Sequence, residues 1–297
     1  MALFRPQEFI LSNNREEVLS RLKSEGKRGH VIAGGTGFYE LAKRGYIPEV
    51  KTVVSIMQLG LSYINESQKD LVIGATTTLR QLLDSNVGQQ AGLEAIEDAL
   101  REIRPVQVRN VATIGGEVCI SVPIVDLPTA LLACDASVRI ISEDRENVMK
   151  LEDFYIDAFL TRLRYGELVK EITLPKQGDQ TTKSSSGFVK FGRTAYDFNL
   201  INCAVSLTSD QSHKKIESIR IFLGGVKRTP FRALELEKKL TGLMPHDQII
   251  FDAVQSTLSK TNLLPSIHGS SEYKHAVLPV VIRECIMRAY DRCKALN

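Results

Sequence analysis

Two glycine-rich segments hold the residue types that could do chemistry: Gly34-Gly35-Thr36-Gly37 and Thr113-Ile114-Gly115-Gly116. Consecutive backbone N–H groups converge only where no side chain obstructs them, and glycine reaches the left-handed conformations that aim them inward. Such a nest binds anionic oxygen, and a helix starting at its edge adds a favourable dipole. Thr36 adds a hydroxyl donor. The first segment is not a nucleotide-hydrolysing P-loop, because no Gly-Lys-Ser/Thr follows it. Nor is it the dinucleotide fingerprint G-x-G-x-x-G: counted from Gly35, the third glycine position holds Glu40. A tight turn without a ligand explains either segment taken alone equally well. Two nests in one domain fit a ligand with two phosphates, gripped from both sides, such as a dinucleotide.

The other reactive residue types form no constellation. Cys119, Cys134, Cys203, Cys285 and Cys293 are scattered, with no C-x-x-C, so neither an iron–sulfur centre nor a secreted disulfide framework is expected. Most of them read as core residues. His30, His213, His246, His268 and His275 match no zinc spacing, so no metal site is expected, and no catalytic acid or base stands out. A net charge of +3 over 297 residues gives no basic excess for a nucleic-acid partner. No apolar run reaches bilayer or signal-peptide length, so a soluble cytoplasmic protein is expected.

The elements that position the loops follow from pattern. Asn14 to Glu17 reads as a capping box ahead of a helix with Val18, Leu19 and Leu22 on one face. A strand over His30–Ala33 leads into the first glycine loop, a helix over Phe38–Arg44 follows, and Lys51–Ile56 is strand-like. Leu71–Ala75 reads as a strand, Thr77 as the cap of a helix to Asp84, and Ala91–Ile103 as a helix. Arg104–Ile124 reads as irregular. Asp126 reads as the cap of a helix to Ala133, and Ser137–Ile141 and Leu168–Thr173 as strands. Pro175–Gly187 is the candidate linker. Beyond it, strands at Phe188–Phe191, Leu200–Leu207 and Ile216–Leu223 precede helices at Phe231–Leu240, His246–Leu258 and from Glu272, the last expected to kink at the internal Pro279. Strands followed by helices make this half α+β.

The segments VIAGGTGFYELAKRG and VRNVATIGGEVCISVPIVDLPTALLACDASVRI resemble the flavin-binding subunits of molybdenum hydroxylases, of the xanthine dehydrogenase and carbon monoxide dehydrogenase type. Gly166–Val169, Phe188–Arg193, Gly224–Val226 and Thr229–Ala233 continue the likeness in order across nearly the whole chain. The resemblance implies an α+β fold. A PCMH-like FAD-binding domain, 1–178, would comprise subdomains of about 1–57 and 58–178; a small α+β C-terminal domain would span 179–297. It implies FAD as cofactor, with Ile32, Ala33, Gly34, Gly35, Thr36, Gly37 and Phe38 around the pyrophosphate and ribityl chain. Thr113, Gly115 and Gly116 would approach the same diphosphate, Asp126 would accept a hydroxyl hydrogen bond, and Val169 and Lys190 would lie near the isoalloxazine.

The implied activity is electron transfer within an oxidoreductase heterotrimer, from an iron–sulfur subunit beside a molybdopterin subunit to NAD, oxygen or another acceptor. Read from residues alone, Asp126 is equally a helix cap and Lys190 a solvated strand lysine. The chain departs from the family at Gly37, Glu117, Ile120, Val122, Val125, His268 and Lys274. These departures remove hydrogen-bonding partners and imply weaker or altered FAD binding. The alternative reading is a flavin-free structural subunit. A covalent flavin oxidase is disfavoured, since neither glycine loop contains a histidine.

Overall fold

The structure, a computed structural model, describes residues 6–45, 50–90, 92–176, 183–210, 212, 214–267 and 269–295. Their elements are, in chain order, β1 (Glu8–Leu11), α1 (Arg15–Glu25), β2 (Gly29–Ile32), α2 (Thr36–Lys43), β3 (Thr52–Ser55), β4 (Ile64–Glu66), β5 (Asp70–Gly74), α3 (Leu79–Asp84), α4 (Glu94–Glu102), α5 (Val106–Val111) and α6 (Ile114–Cys119). There follow α7 (Leu127–Ala133), β6 (Ser137–Ile141), β7 (Glu146–Lys150), α8 (Leu151–Phe154), β8 (Tyr155–Asp157), β9 (Leu160–Thr161), β10 (Leu168–Pro175) and β11 (Lys183–Phe191). The chain ends with β12 (Ile201–Ser209), β13 (Ile216–Gly224), β14 (Phe231–Arg232), α9 (Leu234–Leu240), α10 (Asp247–Leu258) and α11 (Ser271–Ala295). The mixture is α+β, as expected.

The chain packs as two compact units. The first gathers 1–85, 105–121 and 136–174; the second gathers 86–104, 122–135 and 175–297. The contiguous division at 178 therefore differs from the packing: α4 and α7 leave the first segment and join the C-terminal sheet. Specific bonds within the second unit show why. The Glu94 carboxylate accepts from the Ser186 N–H and hydroxyl at 2.9 and 3.1 Å. Asp98 receives the Arg292 guanidinium at 2.7 and 2.8 Å, a two-bond charged pair.

In the first unit, β1-β3-β2 form a parallel sheet, and β4-β5-β10-β6-β7 form a second sheet in which the β4–β5, β10–β6 and β6–β7 pairs are antiparallel. β3, the central parallel strand, is buried along its whole length, which suits its β-branched Thr52-Val53-Val54 run. Asn14 caps α1, its side chain accepting from the Glu16 and Glu17 amides, but the Glu17 carboxylate accepts from the Ser12 hydroxyl instead of closing the expected capping box. Val18, Leu19 and Leu22 then pack with Val54, Ile56, Leu61, Ile141 and Leu168. Each such burial contributes about 1.5–3 kcal/mol.

Three local expectations are corrected. The cap of α3 is Thr78, not Thr77: Thr78 and Gln81 close the reciprocal capping box, while the Thr77 hydroxyl bonds Tyr63. The stretch read as irregular contains α5 and α6, with Thr113 accepting from the Gly116 amide at 3.2 Å to cap α6. Lys183–Gly187, read as linker, is the start of β11, paired to β12 from Lys183↔Ser209 onward. The run 177–182 and His268 lie outside the described residues.

In the second unit the antiparallel sheet β11-β12-β13-β14 packs with α9, α10 and α11 around one apolar cluster. α11 runs through the buried Pro279 as one element. Lys274 on α11 is 1% exposed, and its ammonium donates to the carbonyls of Gly225 and Leu264 at 2.6 and 2.7 Å. Burial lowers its pKa. Cys134, Cys203, Cys285 and Cys293 are buried, as read. Among the described residues no helix is long and apolar enough to cross a membrane, and no cluster of metal-ligating side chains occurs.

Candidate functional site

The first unit contains a cavity of about 450 Å³, within the range of small-molecule sites. The β2–α2 connection forms one wall and the start of α6 another. Ile32, Ala33, Gly34, Gly35, Thr36, Gly37, Phe38, Thr113, Gly115, Gly116 and Val169 all line it. Eleven of the thirteen sequence-derived site residues are thus brought together. Asp126 and Lys190 belong to the second unit.

The two glycine loops do different work. Gly35 has φ +74° and precedes the first turn of α2. Among the described residues, the amides of Gly34, Gly35, Thr36 and Gly37 donate to no other group of the chain. Four consecutive donors at a helix N-terminus, facing a cavity, suit a phosphate. The absent side chains matter here. A Cβ on Gly34 would overlap the Val111 carbonyl, with its carbon at 2.7 Å.

In the second loop the amides from Ile114 to Glu117 are all engaged. Ile114 N–H donates to Thr77 O at 3.0 Å, Gly115 to Ala75 O at 2.9 Å, Gly116 to Thr113 Oγ1 at 3.2 Å, and Glu117 to Thr113 O at 3.0 Å. Gly115 is required by packing instead: its Cβ would meet the Ala75 oxygen at 2.7 Å. Gripping from both sides by two amide nests therefore differs from what the backbone offers. The first loop supplies donors; the second supplies a closely packed wall. Glu117 and Ile120 also line the cavity, and the Ile120 side chain covers the place a Gly37 Cβ would take.

Two wall residues add electrostatic content. His30 packs against Phe38, ring centroids 4.7 Å apart and planes tilted by 45°, and burial lowers its pKa. The Cys119 thiol is pushed up to about 12 by burial, so it stays protonated and is a poor nucleophile at neutral pH. The His30 shift has a thermodynamic consequence. A histidine kept neutral by the fold binds its proton in the unfolded chain first, so stability falls as pH drops below the unfolded value near 6.5. The loss is at most about 1.4 kcal/mol per pH unit for one group. His30→Gln is expected to flatten this part of the acid limb, measured as the wild-type-minus-variant difference in urea unfolding free energy at pH 7.5, 6.0 and 5.0. Parallel curves for the two proteins would contradict it.

In the second unit, Lys190 and Asp126 form a buried ion pair, Nζ to Oδ2 2.9 Å, with side chains 8% and 6% exposed. The Asp126 Oδ1 accepts from the Asn199 and Asn202 side-chain amides at 2.9 and 3.1 Å. Both readings from residues alone are thereby corrected. Asp126 makes no side-chain cap bond to α7, because its oxygens are engaged, and Lys190 is not solvated. Asn199 and Asn202 also hold the Ile124 and Val125 carbonyls at 2.7 and 3.2 Å. Gly224, opposite Asn202 in the β12–β13 ladder, has to lack a side chain: its Cβ would overlap Asn202 Oδ1 and meet Thr129 Oγ1 at 2.8 Å.

Sequence reasoning missed these asparagines and the cavity wall at Phe159–Thr161. Two asparagines around Leu200-Ile201 at the start of an apolar strand were the available signal for the first. Nothing in the sequence marked the second.

Comparison with known proteins agrees with this geometry. Residues 6–177 match the FAD binding domain in molybdopterin dehydrogenase, and residues 186–289 the CO dehydrogenase flavoprotein C-terminal domain. The chain belongs to this family. It is an FAD-binding medium subunit of the molybdenum hydroxylase type, and so an oxidoreductase subunit. The glyceraldehyde dehydrogenase medium chain of Sulfolobus acidocaldarius is 30% identical over 93% of this chain and 96% of its own. The carbon monoxide dehydrogenase medium chain of Afipia carboxidovorans is 28% identical over 94% of each. The reconstituted CO dehydrogenase from Oligotropha carboxidovorans has a chain that superposes with a TM-score of 0.89 at 25% identity, covering 98% of this chain and 100% of that one. The family's cofactor fits the residues present: an anionic diphosphate matches four unpartnered amides, among the described residues, beside a cavity of small-molecule size.

Proposed function

We propose that this medium subunit holds FAD with its diphosphate on the Gly34–Gly37 amides and carries electrons from an iron–sulfur partner, beside a molybdopterin subunit, to NAD, oxygen or another acceptor. The single supporting observation is the row of four unpartnered amides at the start of α2. Bound FAD supplies one- and two-electron redox chemistry, which suits a relay between iron–sulfur clusters and a two-electron acceptor. The residues of the chain bind, orient and shield. Gly34 to Gly37 donate to phosphate oxygen, and the positive end of the α2 dipole favours the charge. Gly115 and Gly116 give a close wall, and Val169 an apolar one. Asp126 and Lys190 are assigned to the cofactor on the family resemblance.

With no histidine in either loop and Cys119 held protonated, the flavin is expected to be non-covalent. Titrating the purified full chain with FAD should give one equivalent bound, visible as the structured 450 nm flavin band. Acid precipitation should then leave the flavin in the supernatant. A chain that stays colourless with excess FAD would instead assign it the flavin-free structural role, for which the Glu117 carboxylate in the cavity wall is the physical reason.

A further inference from the structure

Two non-glycine residues of the first unit hold left-handed backbone and bond to one another. Ser121 has φ +48° and Phe159 φ +62°. The Phe159 N–H donates to Ser121 O at 2.8 Å, and the Ser121 hydroxyl donates to Asp157 O at 2.9 Å. Asp157 in turn accepts from the Ala158 amide at 2.8 Å. The tip of the β8–β9 hairpin is thus locked in a conformation that a residue with a large side chain disfavours. Such strain persists only where the surroundings over-determine it, and it clusters at ligand sites.

The lock does not serve the core. Phe159 is 54% exposed, whereas Phe154, five residues earlier, is 0% exposed. The lock instead serves the cavity, which Phe159 and Leu160 line together with the first glycine loop. Ser121 follows Ile120, whose side chain rests against Gly37, so the hairpin tip is tied to the amide row through two adjacent residues. Asparagine or glycine would meet the backbone requirement at 159 without strain. Phenylalanine there places an aromatic ring in the cavity wall.

We infer that Phe159 is a stacking residue for a planar ring of the bound dinucleotide, its backbone preset by Ser121. The inference rests on the reading that this cavity takes FAD. A half-exposed aromatic face in a cavity wall gains by covering a second flat π-system, and stacking on a nucleobase-sized ring changes affinity about tenfold or more.

FAD titration of the full chain separates the two claims. If wild type fails to bind FAD, the parent reading fails. If wild type binds, Phe159→Asn, which tolerates left-handed backbone, is expected to bind FAD about tenfold or more weakly. Phe159→Trp is expected to stay near the wild-type affinity. Without ligand, Phe159→Asn should melt at or above the wild-type temperature, because it relieves strain; a purely structural ring would make it melt lower. ADP competition then names the ring. Parallel weakening of ADP assigns stacking to adenine; ADP unchanged with FAD weakened assigns it to the flavin. Wild-type FAD affinity in Phe159→Asn would overturn the inference.

Discussion

Gly34→Ala is expected to give a colourless, destabilised protein. The new Cβ would overlap the Val111 carbonyl oxygen, and it would lie 2.7 Å from that carbonyl's carbon and 3.1 Å from Ala112 Cα. These are backbone atoms and cannot rotate away, so either the loop or the end of α5 must move. Overpacking of this kind costs about 1–3 kcal/mol. At about 2–4 °C per kcal/mol, Tm should fall by roughly 2–12 °C.

Affinity should suffer more. Hydrogen bonds to a charged acceptor contribute about 1.5–3 kcal/mol each, and displacing the amide row by an ångström weakens several together. FAD binding is expected to drop by at least about a hundredfold. Gly37→Ala is the control. Its Cβ would meet the flexible end of Ile120, whose Cγ1 lies at 3.4 Å, and the side chain can turn aside. Thermal melting and FAD titration of both variants read the result. A Gly34→Ala protein with wild-type Tm and flavin content would show that the close approach is not there.

Asp126→Ala is expected to lose about 3–5 kcal/mol of stability, the cost of stranding one member of a buried ion pair. Among the described residues the Lys190 ammonium would keep only the Glu102 carbonyl at 3.4 Å, and the side-chain amides of Asn199 and Asn202 would each lose an acceptor. Magnitude decides between two roles for this aspartate. Were it a helix cap, alanine would cost about 1 kcal/mol. Urea midpoints at unchanged slope measure the difference. The double variant Asp126→Leu with Lys190→Met should recover much of the loss, since replacing a whole buried pair by apolar groups is often near neutral. A single variant losing only about 1 kcal/mol would remove the ion pair from the account.

The candidate site was legible where function depends on the main chain. Diglycines at a strand–helix junction advertise exposed amides whatever surrounds them, so Gly34–Gly37 could be singled out with no structure. The second diglycine looked the same in one dimension. Its amides turned out to be engaged by Thr77, Ala75 and Thr113, partners set by the pairing of distant segments. The same distinction explains Asp126. A helix follows it in both readings, but its oxygens go to residues 64 to 76 positions away.

From the residue pattern alone came the α+β character of the C-terminal half, most of the longer elements in their order and the first glycine loop. These follow from hydrophobic period, capping residues and the freedom of glycine, all properties of short stretches. Only the tertiary structure decided that α4 and α7 pack with the C-terminal sheet, that Lys190 is buried against Asp126, and that a strained hairpin tip faces the cavity. Those outcomes depend on which remote groups meet, because hydrogen bonds and ion pairs select partners by distance in space rather than along the chain.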